Sequence, residues 1–187
     1  MKIAWGVTGA GDKIENTIEE MENIGNKKDD LEIHVFVSKA GKEMLDIYRL
    51  TDKIKESKYF NSFSVAKSSN KPFLAGALQS GRYKGLLIAP ATANTVAKIS
   101  NGIGDTLLTN SAFMAMKSFI PVHIMPVDLK LGVIKTTLPD GKELKMRVRE
   151  EDVNNVEKLR KTDGIDIIEE PSNLQEHVNK IIKSSPR

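Results

Sequence analysis

Short apolar runs alternate with amphipathic segments along most of the chain, and this alternation restricts the possible folds more than any other feature. Five runs have the length and apolar character of buried strands: Lys2–Val7, Leu31–Val37, Gly85–Ala89, Pro121–Met125 and Ile165–Ile168. The segments between them carry apolar residues at helical spacing. Strands that alternate with helices form a parallel sheet covered on both faces. We therefore expect an α/β protein with a three-layer, Rossmann-like (flavodoxin-like) sheet.

Capping residues and apolar spacing place the helices between these strands. The first helix is expected from about Ile14, with Asp12 as its cap, and the second is expected to follow Ser38 and run to about Tyr48. The sequence predicts further helices at about 72–80, 93–101, 105–118, 150–162 and 172–183, and Asp105 is expected to cap the one at 105–118. Residues 49–68 are assigned only loosely, as helix fragments and loop.

The length of the chain favours one domain. A chain of 187 residues can build one full core and is too short for two ordinary domains, so we expect a single domain over residues 1–187. After Asp128 the pattern changes to two strand-like runs around Asp140–Gly141. This pattern predicts a β-hairpin at about 131–149, appended to the C-terminal part of the sheet.

Composition excludes several classes of protein. The chain has no cysteine, which excludes disulfides, thiolate nucleophiles and Cys-ligated iron–sulfur or zinc sites. Its formal net charge of +3 does not call for nucleic acid or anionic lipid as a partner. The three histidines lack ligand spacing, so no metal site is expected. No apolar run approaches the roughly 20 residues of a membrane span, and no signal-peptide pattern opens the chain, so we expect a cytoplasmic protein.

Two turns at the ends of predicted strands carry groups that suit a phosphate. Thr8, Gly9 and Ala10 follow the first strand, where a glycine turn exposes backbone N–H groups beside a helix N-terminus. Ser38 and Lys39 follow the second strand and offer a hydroxyl and a positive charge. Each turn alone is explained as well by a tight turn or a helix cap. Together they favour a ligand site, because open α/β sheets bind ligands outside the carboxyl ends of their strands.

A third turn, after the strand that ends at Ala89, carries the most specific motif. It resembles the Pro-Ala-Ser-Ala-Asn-Thr motif of the homo-oligomeric flavin-containing cysteine decarboxylase superfamily through Pro90, Ala91, Thr92, Ala93, Asn94 and Thr95. The Lys-Ile-x-x-Gly-Ile-x-Asp-x-Leu-Leu run that follows matches as well. The resemblance implies that Thr92, Asn94 and Thr95 surround an FMN cofactor whose phosphate lies near Ser38 and the first turn. The structural alternative is that Asn94 and Thr95 only cap a helix.

Within that superfamily, the chain resembles the archaeal flavoproteins, which include relatives that reduce dihydromethanopterin. The likeness involves Trp5–Asp12, the hairpin and Arg147–Asp152. Relatives with iron–sulfur clusters need cysteines, so the resemblance is to the cluster-free branch, which is implicated in electron exchange with ferredoxin-type partners. The decarboxylase members have a His before the strand that precedes the motif and a later Pro-x-Met-Asn segment. Neither feature is visible here, so cysteine decarboxylation is disfavoured.

The resemblance also implies contacts between proteins. It implies a homo-oligomer, commonly built from trimers, in which a loop at 109–116 of one subunit helps to cover flavin bound by another. Lys145, Arg147 and Arg149 share one face of the second hairpin strand and are either a solvated edge or a docking face for an acidic ferredoxin-type protein. Asp128, at the end of a strand, is placed to face the cofactor.

Three functions are consistent with these features. The first is an FMN-binding protein that transfers electrons, exchanging them with a ferredoxin-type partner. The second is an FMN-dependent pterin reductase, and the third is a flavin-binding module without turnover. The sequence shows no acid, base or nucleophile that would separate them, because the flavin itself carries the redox chemistry.

Overall fold

The computed structural model describes residues 1–138 and 140–184. Its strands are β1 (Lys2–Val7), β2 (Glu32–Val37), β3 (Ser62–Val65), β4 (Leu86–Ala91), β5 (Val122–Pro126), β6 (Gly132–Thr137), β7 (Glu143–Val148) and β8 (Ile165–Ile167). The helices are α1 (Ile14–Asn26), α2 (Lys39–Ile47), α3 (Thr51–Glu56), α4 (Leu74–Gln79), α5 (Ala93–Ser100), α6 (Leu107–Lys117), α7 (Glu150–Arg160) and α8 (Leu174–Lys183). A short 3-10 helix at Pro171–Asn173 precedes α8.

Six strands form one parallel sheet in the order β3-β2-β1-β4-β5-β8. The first strand pairs with β2 along its whole length, from Lys2 opposite Glu32 to Val7 opposite Val37, and pairs with β4 on its other side. The chain therefore adds strands outward from β1 to β3 and then crosses back to β4. This confirms the predicted Rossmann-like architecture and places the reversal of strand order between β1 and β4.

Helices cover both faces of the sheet. Side chains of β1 alternate between the faces: Ile3, Trp5 and Val7 pack on one side, with α1, α2, α3 and α8, and Ala4 packs on the other, with α4 to α7. The indole N–H of Trp5 donates to the carbonyl of Ala89 at 2.7 Å, so the two central strands are also joined through a side chain. The result is the predicted three-layer structure. None of the described helices is long and apolar enough to cross a membrane.

The segment 49–68 holds more regular structure than the sequence predicts. It contains α3 and the edge strand β3, which pairs in parallel with β2 from Ser62 opposite His34 to Val65 opposite Val37. In this four-residue strand Phe63 and Val65 alternate with two serines, so it lacks the continuous apolar run of the other strands. Strand β4 also extends past its expected end at Ala89, to Ala91, with an irregular pairing to β5 around the proline.

Asp12 does not cap α1, contrary to the sequence prediction. The residue before the helix is Lys13, in the left-handed conformation with φ 62°, and no side chain caps the helix. The Lys13 ammonium is held by the carboxylate of Glu170 at 3.0 Å and by the carbonyl of Glu169 at 3.1 Å. These contacts fix the turn in a shape that directs Asp12 into a cavity described below.

The second predicted acidic cap is also wrong. Thr106 caps α6, with its hydroxyl accepting from the backbone N–H of Thr109 at 3.3 Å. Asp105 instead binds the ammonium of Lys98 on α5, with both oxygens within 2.9 Å. The predicted cap of α2 is confirmed, because the Ser38 hydroxyl accepts from the N–H of Gly41 at 2.9 Å.

Strands β6 and β7 form the predicted hairpin, with Gly141 at φ 82° near its tip and Pro139 outside the described residues. The hairpin is attached to the domain through the Tyr48 hydroxyl, which donates to the carbonyl of Thr137 at 3.2 Å, and through buried Val148. It is otherwise an appendage to the sheet, as expected.

Arg149 does not share the hairpin face with Lys145 and Arg147. It stands after β7, at the start of α7, and its guanidinium donates to both oxygens of the buried Asp152 at 2.6 and 3.0 Å. The alternation of charges that predicted a three-residue face continues in the sequence, but the strand ends at Val148. Of the three predicted charges, β7 therefore carries Lys145 and Arg147, and Arg149 is paired with Asp152.

Two histidines meet between β5 and α8. The Nδ1 atom of buried His123 lies 2.8 Å from the Nδ1 atom of His177. Such a contact requires one nitrogen to donate and the other to accept, so the pair is stable only when at least one ring is neutral. Burial lowers the pKa of His123 from 6.5 to about 4, against the smaller raising effect of Asp166, and burial also lowers the pKa of His177.

This pair makes the stability of the fold sensitive to acid. The folded protein binds a proton at His123 less readily than the unfolded chain does. The free energy of unfolding is therefore highest above the pKa that His123 has in the unfolded chain, and it decreases as the pH falls below that value. Between pH 6.5 and about 4, we expect up to roughly 3 kcal/mol of unfolding free energy to disappear, measured by urea denaturation. His123→Gln should show a shallower acid slope than the wild type. Equal slopes in the two proteins would contradict this assignment.

Candidate functional site

The turns that follow β1, β2, β3 and β4 surround a cavity of about 430 Å³ at the carboxyl edge of the sheet, which we call the switch-point cavity. Its position matches the reversal of strand order between β1 and β4, where open α/β sheets bind ligands. Its walls are formed by Thr8, Gly9, Ser38, Lys39, Ala40, Ala66, Lys67, Ser68, Ser69, Thr92, Asn94, Thr95, Asp105, Thr106, Leu107 and Leu108.

Three helices begin at this cavity. The caps Ser38 of α2, Thr92 of α5 and Thr106 of α6 all lie in its wall. The first N–H groups of a helix have no partner within the helix, and the helix dipole adds partial positive charge at the same end. With Lys39 and Lys67 also in the wall, the cavity is suited to an anionic group such as a phosphate.

The hydroxyl groups of the cavity differ in what they can offer a ligand. Ser38 accepts a hydrogen bond from Gly41 and keeps its own hydrogen to donate. The Thr92 hydroxyl accepts from the N–H of Thr95 at 3.2 Å and also lies 3.1 Å from the Thr95 hydroxyl, so the two threonines orient each other. Ser38 is therefore the capping hydroxyl best placed to bind an anion directly.

Thr8 joins two of the turns. Its hydroxyl, in a side chain that is only 2% exposed, donates to the carbonyl of Pro90 at 2.8 Å and accepts from the N–H of Thr92 at 2.9 Å. These bonds hold the turn after β1 against the turn after β4. Thr8 thus forms part of the wall, while most of its bonding capacity is used to position the motif that follows β4.

Gly9 allows the turn after β1 to lie directly on the start of α2. A Cβ atom at this position would lie 2.8 Å from the Cβ of Ala40, closer than real Cβ contacts. At the next residue of α2, a Cβ at Gly41 would lie 2.6 Å from the carbonyl oxygen of Val7. The two glycines therefore bring the α2 N-terminus to the end of β1.

The structure brings together seven of the ten residues that the sequence predicts for the site. Thr8, Gly9, Ser38, Lys39, Thr92, Asn94 and Thr95 all line the switch-point cavity. Ala10 lies in a second, neighbouring cavity. Pro90 and Ala91 are buried in β4 and line neither of the two, so their part is to shape the strand end.

The second cavity, of about 500 Å³, lies beneath the hairpin and is called here the hairpin cavity. It shares Gly9, Thr92 and Asn94 with the switch-point cavity, so the two are neighbours across the turns after β1 and β4. Much of its wall is apolar and comes from α2 and the hairpin: Met44, Ile47, Ile134, Leu138, Leu144 and Met146. Its ionisable wall residues are Asp12, Tyr48, Asp128, Arg147, Arg149 and Asp152.

The carboxyl groups of the hairpin cavity differ in their affinity for protons. Burial raises the pKa of Asp128, and the negative charges of Asp152 and Asp12 add to this, against the opposing effect of Arg149. Burial likewise raises the pKa of Asp12, with Lys13 opposing it. Hydrogen bonds from Arg149 lower the pKa of Asp152. One end of the cavity therefore holds the Arg149–Asp152 ion pair together with Asp12 and Asp128, two carboxyl groups that retain protons more readily than an ordinary aspartic acid.

Sequence reasoning missed several wall residues. Ala66–Ser69 were not identified because β3, which positions them, was not predicted; the amide of Asn110 holds this loop by donating to the carbonyl of Ser69 at 3.1 Å. The consecutive residues Lys67, Ser68 and Ser69 were the sequence signal that could have identified this part of the wall. Residues 109–116, expected as a loop that covers a neighbouring flavin, are instead part of α6, and several of them are buried in their own subunit.

Among residues 1–138 and 140–184, no group of three or more His, Asp or Glu side chains is arranged to hold a metal ion. The chemistry available at the two cavities is therefore that of hydroxyl groups, backbone N–H groups, lysines and carboxyl groups. These groups can bind an anion and move protons, and a redox reaction would require a bound cofactor.

Comparison with known proteins gives a consistent assignment. The family model described as Flavoprotein matches residues 1–183. An uncharacterized protein of Methanocaldococcus jannaschii is 43% identical over 183 residues, covering 98% of this chain and 97% of the relative. The dihydromethanopterin reductase (acceptor) of the same organism is 29% identical, with 96% of each chain covered. Its alignment extends over 237 positions, more than the 187 residues of this chain, so the reductase has insertions that this chain lacks.

A solved structure supports the same conclusion. DmrB from Burkholderia xenovorans, crystallised with FMN and described as a cubic protein cage for redox transfer, has a TM-score of 0.78 and 29% identity, covering 96% of this chain and 93% of DmrB. The family model covers nearly the whole chain, and the sheet and its turns occur in the expected order. The chain therefore belongs to the flavoprotein family.

Proposed function

We propose that this protein binds FMN and transfers electrons from the reduced flavin to an acceptor. The observation that carries the proposal is the arrangement of two adjoining cavities, one suited to an anion and the other largely apolar. FMN combines a phosphate with a flat, mostly apolar ring system that needs a few fixed polar partners. The crystallisation of DmrB with FMN supports the same ligand.

The residues present fit this cofactor. The phosphate is expected beside Ser38, Lys39 and the first N–H groups of α2, since they provide a free hydroxyl, a positive charge and a helix N-terminus. Asn94 and Thr95 offer polar groups for the ring edge, and Gly9 allows the turn after β1 to pack closely on Ala40 at the start of α2. When bound, FMN supplies the electron chemistry; the residues of this chain bind, orient and shield it.

A small reducible heterocycle is the acceptor that the structure favours. The hairpin cavity adjoins the switch-point cavity through Gly9, Thr92 and Asn94, so a molecule bound there would lie next to the proposed flavin. Relatives named dihydromethanopterin reductase (acceptor) support a dihydropterin as a member of this class. In this reading the protein is an FMN-dependent pterin reductase.

A ferredoxin-type protein is the second candidate partner, as electron donor or acceptor. Lys145 and Arg147 are exposed on β7 and could attract an acidic protein, although Arg149 is engaged with Asp152. A flavin-binding module without turnover is the third alternative and would pass electrons no faster than free FMN. The absence of cysteine is compatible with all three, since none needs an internal cluster.

We also propose that the protein assembles into a homo-oligomer, built from trimers. Support comes from DmrB, described as a cubic cage, and from exposed apolar side chains on and beside the hairpin. Leu131 and Val133 are each 64% exposed, which is unusual for large apolar residues unless another surface covers them.

The proposed phosphate site predicts a selective loss of affinity. Lys39→Gln should weaken FMN binding by about threefold to tenfold, because it removes one exposed positive charge from the phosphate, and should leave riboflavin binding unchanged because riboflavin has no phosphate. Dissociation constants follow from quenching of flavin fluorescence. Lys42→Gln, one turn further along α2 and paired with Asp46, is the matched control and should bind FMN like the wild type. Equal losses for FMN and riboflavin would place the phosphate elsewhere.

The redox proposal predicts the behaviour of the flavin under anaerobic conditions. The purified protein should show a bound-flavin absorption spectrum that bleaches on reduction and recovers when dihydropterin is added.

Reduction of the bound flavin by reduced ferredoxin would identify ferredoxin as the electron donor. Salt and Lys145→Gln should both slow this reduction. If the oxidised flavin spectrum returns no faster than with free FMN for every acceptor, the protein is a flavin-binding module without turnover. A protein that binds no FMN would refute the proposal.

A further inference from the structure

Asp128 lies in the hairpin cavity, close to the turn that begins with Thr92. It follows β5 by two residues, and the N–H of Val127 donates to the carbonyl of Ala91 at 3.2 Å, which fixes the end of β5 against the turn that begins with Thr92. Its side chain is half-buried and lines the hairpin cavity, whose wall also includes Thr92 and Asn94.

The positive charge of Arg149, which acts on Asp128, is already paired. Arg149 donates two side-chain hydrogen bonds to Asp152, at 2.6 and 3.0 Å, and Asp152 is 95% buried. Asp128 therefore lies beside an ion pair with no net charge, where a second carboxylate is not stabilised. Burial and neighbouring charges, without a hydrogen bond from the described residues, raise the pKa of Asp128.

The other ionisable groups of the cavity are less suited to donating a proton. The Tyr48 hydroxyl donates to Thr137, and the Asp152 carboxylate is held ionised by Arg149. Asp12 shares the raised pKa but lies beside Lys13, whose charge opposes the effect of burial. The groups that face Asp128 are Asp12 from the turn after β1, Tyr48 from α2, Arg147 from β7, and Arg149 and Asp152 from the start of α7.

We infer that Asp128 donates a proton to the acceptor when a carbon–nitrogen double bond is reduced in the hairpin cavity; this inference rests on the proposed FMN-dependent reduction. FMN, when bound and reduced, would supply the hydride that forms the new C–H bond and would itself be oxidised. The O–H bond of Asp128 breaks, and the proton forms the new N–H bond. The carboxylate left at Asp128 then regains a proton from solvent, so one hydride and one proton are consumed for each double bond.

The inference assigns a specificity as well as a role. An acceptor that meets Asp128, Asp12 and Asp152 at one end of the cavity should present nitrogen atoms there and no carboxylate, because a second anion would be repelled. Nitrogen heterocycles with a C=N bond fulfil this requirement. Apolar residues of α2 and the hairpin, such as Met44 and Met146, would contact the rest of a flat ring.

One test follows the flavin after reduction. Reduced, FMN-loaded protein is mixed rapidly with dihydropterin across a series of pH values. The wild-type rate should fall as the pH rises through the pKa of Asp128, because the donor must be protonated. Asp128→Asn should lower the rate at neutral pH by about 100-fold or more and remove this pH dependence. Ferricyanide takes electrons without a proton, so its reaction with the variant should keep the wild-type rate.

A matched variant separates a proton donor from a residue that only supports the fold. Asp12→Asn removes a neighbouring negative charge that raises the pKa of Asp128. It should therefore shift the pH dependence to lower pH while retaining it, whereas Asp128→Asn removes it. A merely structural effect of either substitution would slow the ferricyanide and dihydropterin reactions together.

A second test needs neither flavin nor turnover. Infrared titration of the cofactor-free protein should show carboxyl groups that stay protonated above the usual range for aspartic acid; Asp128→Asn should remove the contribution of one group and leave that of Asp12. Identical titrations of both proteins, or identical pH profiles with dihydropterin, would overturn the inference alone. Wild-type protein that binds FMN but does not reduce dihydropterin would refute the reductase proposal, and the role of Asp128 with it.

Discussion

The pairing of β1 with β4, at the point where the order of strands reverses, is the constraint on which the rest of the structure depends. These two central strands bury their side chains on both faces, and the indole of Trp5 bonds to the backbone of β4. Because their turns diverge to opposite sides of the sheet, a cavity opens between them. The Thr8 hydroxyl closes the base of this cavity by bonding to Pro90 and Thr92.

Close packing at the same edge explains why small residues are needed there. Gly9 and Gly41 place the first turn of α2 against the end of β1, at distances that a side chain would prevent. The helix N-terminus therefore reaches the cavity together with the starts of α5 and α6. The proposed anion site would thus follow mainly from how three helices pack on the sheet, with Lys39 adding to it.

The sequence predicted those parts of the fold that are determined by local pattern. Continuous apolar runs identified five of the six sheet strands, and the hydroxyl of Ser38 identified the start of α2. Strand β3 was missed because its serines interrupt the apolar pattern and its pairing with β2 supplies the missing stability. The predicted caps at Asp12 and Asp105 were wrong because of ion pairs that the local sequence does not reveal. Lys13 is bound by Glu170, and Lys98 is bound by Asp105 itself.

The candidate site shows the same division between local and distant information. Residues on the strand-end turns could be predicted, since parallel strands bring their carboxyl ends to one edge. The hairpin cavity could not, because it depends on the hairpin folding back over α2 through a contact between Tyr48 and Thr137, which are 89 residues apart. The state of Asp128 likewise depends on Arg149 being paired with Asp152 and on the position of Asp12.

In the proposed function, the two cavities divide the requirements of a redox reaction between them. Electrons need a cofactor held in a fixed place, and the switch-point cavity would provide this through helix N-termini and hydroxyl groups that the fold already contains. Protons need a group that exchanges with solvent and retains its proton more readily than an ordinary carboxyl group. The hairpin cavity would provide such a group at its boundary with the sheet, because Asp128 is buried in part and the guanidinium of Arg149 is already paired with Asp152. In this proposal the appended hairpin would determine which molecule is reduced, while the sheet and its turns would hold the cofactor.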